Sequence, residues 1–172
     1  MGKEKIKIGF DLDGVIIGKP PFMPKYLMEK LVRKRGHGLA YRYPESKIER
    51  RIRWLSHLPL FRPPIKKNIK LIHELYKSKN YELYVVSSRY SFLEGRTKEW
   101  FKFYRLSGLF KEIHINLKDE QPHIYKEKMI KKLKLNVFID DDRLLLEYLK
   151  GKLLNVDLVF VEEQEKKFNN LK

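Results

Sequence analysis

The feature that most narrows what this chain can fold into is a recurring unit. A short apolar run ends in polar residues, and a stretch of helical spacing follows it. Lys5-Ile6-Lys7-Ile8-Gly9-Phe10 alternates and meets Asp11. Tyr81-Glu82-Leu83-Tyr84-Val85-Val86 runs into Ser87-Ser88, and Val137-Phe138-Ile139 ends in Asp140-Asp141-Asp142. Ile113-His114-Ile115 and the run from Val156 to Val161 read as further strands. Between them, Ile65, Ile69, Ile72 and Tyr76 predict one helix and Phe92, Trp100, Phe103 and Tyr104 a second, from about 90 to 106. Met129, Ile130 and Leu133 predict a third after Pro122, and Leu144 to Leu149 a short fourth. Strands alternating with helices build a parallel sheet covered on both faces, because parallel neighbours need a crossover between them. The expected fold class is therefore α/β and Rossmann-like. Ligands of such sheets lie outside the carboxyl ends of the strands, which is where these acids and serines fall.

One stretch departs from the rhythm. Leu27, Met28, Leu31 and Val32 predict a helix over about 24–35, stopped by Gly36-His37-Gly38. Pro44 opens a second, with Ile48, Ile52 and Leu55 on one face and Arg50, Arg51 and Arg53 around the rest; Pro59, Pro63 and Pro64 close it. The expected organisation is a core of residues 1–18 and 65–172 with a small helical insertion, 19–64, placed after the first strand. The tail from Glu162 is polar and expected to fray.

Charge singles out the same stretch. The chain of 172 residues has a net charge of +16, and residues 19–70 hold 15 basic against 3 acidic side chains, including seven of the eleven arginines. A field that concentrated attracts polyanions. A solvated lysine-rich surface accounts for the second half of the chain, where acids nearly balance bases, but poorly for this stretch. Phe22, Tyr26, Tyr41, Tyr43, Trp54 and Phe61 lie in it and are available for stacking. With no cysteine, disulfide frameworks, thiol catalysis and cysteine-based zinc sites are excluded. The five histidines show no metal-ligand spacing and read as structural or surface residues. No apolar run is long enough for a membrane span and Met1-Gly2-Lys3-Glu4-Lys5 is no signal peptide, so a cytoplasmic location is expected.

Asp11 and Asp13 put two carboxylates beside each other after a strand. Such a pair repels unless a cation sits between, and oxygen-only ligands suit Mg²⁺. Acids at 140–142, ending another strand, would complete the site. Because Mg²⁺ binds through one or two carboxylates plus substrate phosphate, the composition points to a phosphate ester. Read as turn formers beside Gly14, Asp11 and Asp13 would leave the distant acid cluster unexplained.

These residues carry a resemblance. Asp11-x-Asp13-Gly14 after a strand, Ser87 ending Leu83–Val86, Lys126 standing 14 residues before Asp140, and Phe138-Ile139-Asp140-Asp141 occur in the order of the haloacid dehalogenase superfamily, phosphatase branch. The resemblance implies that Asp11 is a nucleophile forming an aspartyl-phosphate and that Asp13 is the general acid and base. It implies that Ser87 and the backbone N–H groups of Leu12 and Ser88 bind phosphoryl oxygens, and that Lys126 neutralises charge. Asp11, the Asp13 carbonyl and the final acids would hold Mg²⁺, with Asp141 the better match and Asp140 in support; Asp142 fits a helix cap. Val15 in place of Thr, Ser87 in place of Thr, and no Gly before the final acids are departures that remove no chemical group. Asp13 favours a phosphatase, since the dehalogenases lack an acid there.

In that family an insertion at 19–64 closes over the site as a cap. Here it would be basic, with Arg50 and Arg53, together with Arg89, as substrate-binding residues. A small, nucleotide-like phosphate ester is the expected substrate. Ser87-Ser88-Arg89 and Ile139-Asp140-Asp141 are loosely similar to the deoxyribonucleotidase-type 5′-nucleotidases. A 3′- or 5′-phosphatase on nucleic-acid ends is the alternative, and a basic nucleic-acid-binding module without turnover stands behind it. A phosphoacceptor signalling domain uses similar residues, but its acid pair and acceptor come in a different order.

Overall fold

In the computed structural model, residues 4–18 and 39–162 are described. The predicted helix over 24–35, its Gly36-His37-Gly38 stop, Phe22, Tyr26 and the tail beyond Glu162 lie outside them. Among the described residues the strands are β1 (Ile6–Phe10), β2 (Tyr81–Tyr90), β3 (Glu112–Asn116), β4 (Val137–Asp140) and β5 (Asp157–Phe160). They form one sheet in the order β3-β2-β1-β4-β5, with every pairing parallel. The helices are α1 (Lys47–Ser56), α2 (Lys66–Ser78), α3 (Glu94–Phe103), α4 (Pro122–Leu133) and α5 (Arg143–Lys150).

Alternation along the strands sorts side chains to the two faces. Ile8, Phe10, Leu83, Val85, Val137 and Ile139 pack on one face with Ile72, Trp100, Phe101 and Phe110. Tyr84, Val86 and Phe138 pack on the other with Met129, Ile130, Leu145 and Leu149 of α4 and α5. β1 crosses the second face at Gly9, where a Cβ would stand 2.3 Å from a Leu135 methyl carbon. A residue without a side chain lets β1 lie at the centre of the sheet under that tight cover. Register then does the positioning. Phe10 pairs with Val85 on one side and Ile139 on the other, so Asp11 leaves the sheet beside the ends of β2 and β4. The Asp11 N–H donates to the Ile139 carbonyl at 2.8 Å.

Two sequence expectations need correction. β2 does not stop at Ser87-Ser88; it runs to Tyr90 past a shift in its register with β3 between Ser87 and Tyr90. The helix expected to open at Pro44 begins at Lys47, with the Ser46 side chain accepting from the Glu49 N–H. Its apolar stripe faces outward. Ile48, Ile52 and Leu55 are exposed at 74%, 60% and 46%. Glu49 anchors the inward side by pairing with Arg42 at 2.6 Å and Arg53 at 3.0 Å.

Residues 39–64 lie over the carboxyl ends of the strands and are tied down by polar contacts. The Tyr41 N–H donates to the Gln121 side chain at 3.0 Å and the Tyr90 hydroxyl to the Arg42 carbonyl at 3.0 Å. The Trp100 indole N–H donates to the Arg62 carbonyl at 2.6 Å. The Arg96 guanidinium covers the Trp54 ring at 3.3 Å. No helix among the described residues is long and apolar enough to cross a membrane.

Candidate active site

The ends of β1, β2 and β4, the start of α4 and the segment 39–62 enclose a cleft of about 230 Å³. Asp11, Asp140, Asp141 and Lys126 line it as one group, its acid side; Arg53, His57, Arg62 and Arg89 line it as a second, its basic side, where Arg62 and Arg89 are bonded to Asp13. Sequence-distant groups meet there because parallel strands all present the same end to one edge.

Among the described residues, Asp11, Asp140 and Asp141 each offer a carboxylate oxygen, all within 4.8 Å of one another. Asp11 and Asp140 are almost fully buried. Lys126, carried inward on the first turns of α4, reaches Asp11 at 2.9 Å and Asp140 at 2.7 Å. Asp140 also accepts from the Asp142 N–H at 3.0 Å. Burial is the largest influence on Asp11 and raises its pKa well above the ordinary value, with Asp140, Asp141 and Asp13 adding to it and Lys126 opposing. Burial likewise raises Asp140 against the pull of Lys126. Lys126 itself would be neutralised by burial, but Asp11 and Asp140 reverse that and hold its pKa well above the usual amine range.

Three carboxylates against one ammonium leave an excess of negative charge. The donor set is oxygen only, which fits a hard divalent cation such as Mg²⁺. Gly14 shapes the same spot. Its φ is +82°, and a Cβ there would sit 2.0 Å from an Asp141 carboxylate oxygen. Glycine therefore serves twice, by adopting a left-handed turn and by leaving room for Asp141 to fold over it.

Asp13 does not join this cluster through its side chain. Arg89 holds it with two bonds, Nε at 2.6 Å and Nη2 at 2.7 Å, and Arg62 adds a third contact. Burial pushes against ionisation, but the two guanidiniums win and hold the Asp13 carboxyl far below the ordinary carboxylate range. Arg89 is fixed in turn by donating to Thr97 at 3.1 Å. Ser87 is buried at the cleft floor and its oxygen accepts from the Arg89 N–H at 3.3 Å. Ser88 lines the cleft. The Leu12 side chain is fully buried in the core, so only its backbone is available to a ligand.

Of the basic residues expected from the insertion, Arg53 lines the cleft and Arg50 does not. Arg50 donates to the Pro44 carbonyl at 3.1 Å and lies over the Tyr43 ring at 5.0 Å. Asp142 accepts from the Leu145 N–H at 3.3 Å as the expected helix cap, and it also receives the Tyr41 hydroxyl.

Three cleft residues escaped the sequence reading. Arg62 was visible only as one of seven arginines, and its neighbours Pro59 and Pro63 suggested a loop. Tyr41 stood in an aromatic set with no indicated direction. His57, read as structural or surface, lines the cleft beside Arg62 and Arg89.

A five-stranded parallel sheet in this order, with acids at the ends of its first and fourth strands, is the architecture that the sequence resemblance implied. Comparisons place the chain by fold. No protein-family model and no curated protein matches it. A haloacid dehalogenase-family enzyme of Bacteroides thetaiotaomicron, an aspartate-to-alanine variant solved with magnesium and inorganic phosphate, aligns with a TM-score of 0.60. Identity is 11% over 98% of this chain and 99% of that one. A haloacid dehalogenase-like hydrolase of Streptococcus pneumoniae aligns at 0.51, with 13% identity over 92% and 95%. A chain of the Pnkp1/Rnl/Hen1 RNA repair complex aligns at 0.60 with 10% identity; 94% of this chain spans 45% of that one. The chain thus has the haloacid dehalogenase-like fold.

Proposed function

We propose that the protein is a Mg²⁺-dependent phosphomonoesterase working through an aspartyl-phosphate on Asp11. The observation that carries this reading is the meeting of Asp11, Asp140 and Asp141 within 4.8 Å, with the Lys126 ammonium bonded to two of them. Asp11, Asp141 and Asp140, with the Asp13 carbonyl, would hold the metal. When bound, Mg²⁺ supplies positive charge against the phosphoryl oxygens and lowers the repulsion between an anionic ester and an anionic nucleophile.

A carboxylate oxygen of Asp11 attacks phosphorus, the ester P–O bond breaks, and Asp13 delivers its proton to the leaving oxygen. Water then attacks the phosphoryl group, Asp13 takes the proton back, and the bond to Asp11 breaks to release phosphate. Lys126, the Ser87 hydroxyl and the N–H groups of Leu12 and Ser88 balance charge on the equatorial oxygens. As folded here, Asp13 is held in its unprotonated form by Arg62 and Arg89, ready for the second half of the reaction. For the first half, an anionic substrate entering beside those arginines draws them onto itself and relieves the hold on Asp13, which then takes up a proton from water and passes it to the leaving oxygen.

The basic side of the cleft supports a polyanionic substrate, with a nucleotide first. A nucleic-acid end as substrate is supported by the arginines that line the cleft and by the likeness to a chain from an RNA repair complex. The segment 39–62 would act as the cap that selects the leaving group. The decisive experiment is phosphate release from an aryl phosphate and from a panel of nucleotides, sugar phosphates and phosphorylated oligonucleotide ends. Turnover that needs Mg²⁺ and disappears on chelation is expected. Salt-sensitive nucleic-acid binding with no turnover of any ester would replace this reading with that of a binding module.

A further inference from the structure

We infer that His57 reads a hydroxyl group on the leaving group, next to the ester oxygen, so that the preferred substrate is a phosphate ester of a vicinal diol such as a ribose 3′-phosphate. This inference rests on the phosphomonoesterase reading and adds the substrate's chemistry to it.

The argument begins with a fixed tautomer. His57 Nδ1 lies 2.7 Å from the Arg53 carbonyl oxygen. A carbonyl only accepts, so Nδ1 carries the hydrogen. The Ser56 hydroxyl donates to the same carbonyl at 2.8 Å and sits 3.2 Å from the ring nitrogen, which locks the ring's orientation. The ring stays neutral. Its burial is the foremost cause, the guanidiniums of Arg89 and Arg62 add to it, and Asp13 and the bond to Arg53 do not offset them, so its pKa falls to about 3. A neutral ring protonated at Nδ1 presents Nε2 as a bare acceptor. Among the described residues no group donates to it.

Position supplies the rest. His57 lines the cleft in the company of Arg62, Arg89 and Asp13. Asp13 is the residue that serves the leaving oxygen, so this is the leaving-group side. Among the described residues, every other charged group on that side apart from Asp13 is a guanidinium, which donates and never accepts. His57 Nε2 is thus the neutral acceptor among donors. The arginines match the phosphates of a nucleotide or an oligonucleotide; the imidazole matches a hydroxyl. An ester whose carbon neighbour bears a hydroxyl satisfies both, and its 2′-deoxy counterpart leaves Nε2 facing nothing.

The test compares hydrolysis of a ribonucleoside 3′-monophosphate with its 2′-deoxy analogue. The same pair is repeated as 3′-phosphorylated oligonucleotide ends, which separates a free nucleotide from a polymer as the source of the group. Wild-type protein should favour the ribose member by about tenfold in kcat/KM, the scale of one neutral hydrogen bond. His57→Phe should bring that ratio close to one, and His57→Gln, which returns an acceptor, should restore part of it. A wild-type ratio near one overturns the inference without any variant being needed, as does a preference that survives His57→Phe. Absence of turnover on every ester, aryl phosphate included, would instead overturn the phosphatase reading beneath it.

Discussion

The two sides of the cleft are built differently. The acid side is made from consecutive residues at strand ends and one lysine, all carried by the sheet and its covering helix. The basic side is assembled from a strand residue, Arg89, and from Arg53, His57 and Arg62, which reach it only because residues 39–62 fold back over the sheet. On the proposed reading, the first side holds the nucleophile and the metal ligands, and the second holds, beside Asp13, the groups that would touch what is attached to the phosphate. Reaction type and substrate choice would then be borne by different parts of the chain, and substitutions on the two sides should fail in different ways.

The sharpest separation is expected at Asp11. Asp11→Asn removes the proposed nucleophile and should lower phosphate release from every ester by about a thousandfold or more, comparable to the loss of other essential nucleophiles. The same change should leave the metal-free protein folded and slightly more stable. Burial raises the Asp11 pKa, so its ionised form at neutral pH costs stability that a neutral amide does not. A lower melting temperature for the variant would contradict that account.

Lys126→Met comes next. It leaves Asp11 and Asp140 buried without their cation, and should destabilise the metal-free protein by about 3 kcal/mol in denaturant melts. Added Mg²⁺ should recover part of the loss.

On the basic side, Arg62→Ala should reduce turnover of nucleotides by about tenfold, while aryl phosphate turnover falls less. Equal losses would merge the two sides into one machine. Its stability effect has a defined pH dependence. The folded-state pKa of Asp13 is lowered, so its ion pairs stabilise above the unfolded carboxyl value of about 4 and lose that effect as pH falls through the folded value. The gap between wild-type and Arg62→Ala melting temperatures should be widest near neutral pH and should close on acidification.

The smallest contrast lies within one helix. Arg53→Ala should weaken nucleotide binding several-fold, whereas exposed Arg51→Ala should change KM by less than about twofold. A matching loss at both positions would mean that only the overall field matters.

The acid side was legible in the sequence because each of its groups is adjacent to an apolar run, and parallel topology turns that adjacency into a common location. Asp11, Ser87 and Asp140 needed only the alternation pattern to be placed. Lys126 needed more, since nothing local separates it from the neighbouring lysines; its spacing from Asp140 singled it out. The basic side was legible only as a charge density. The helical period of Ile48, Ile52 and Leu55 identified α1 but left open which way that face points. Periodicity defines a stripe but not its direction; here the apolar stripe is exposed, and Glu49 pairs with Arg42 and Arg53. His57 was unreadable in principle, because its role depends on a carbonyl four residues earlier whose direction exists only once α1 has formed.

The Lys126 ammonium has one further consequence. A pocket of crowded carboxylates normally obliges a newly made chain to find its ion before it can settle, as happens in small zinc domains. Here the chain carries a tethered positive charge of its own that stands between two of those acids from the outset. On the proposed reading, the polypeptide would mature in a metal-poor setting and be loaded afterwards, and scarcity of magnesium would silence it without unravelling it.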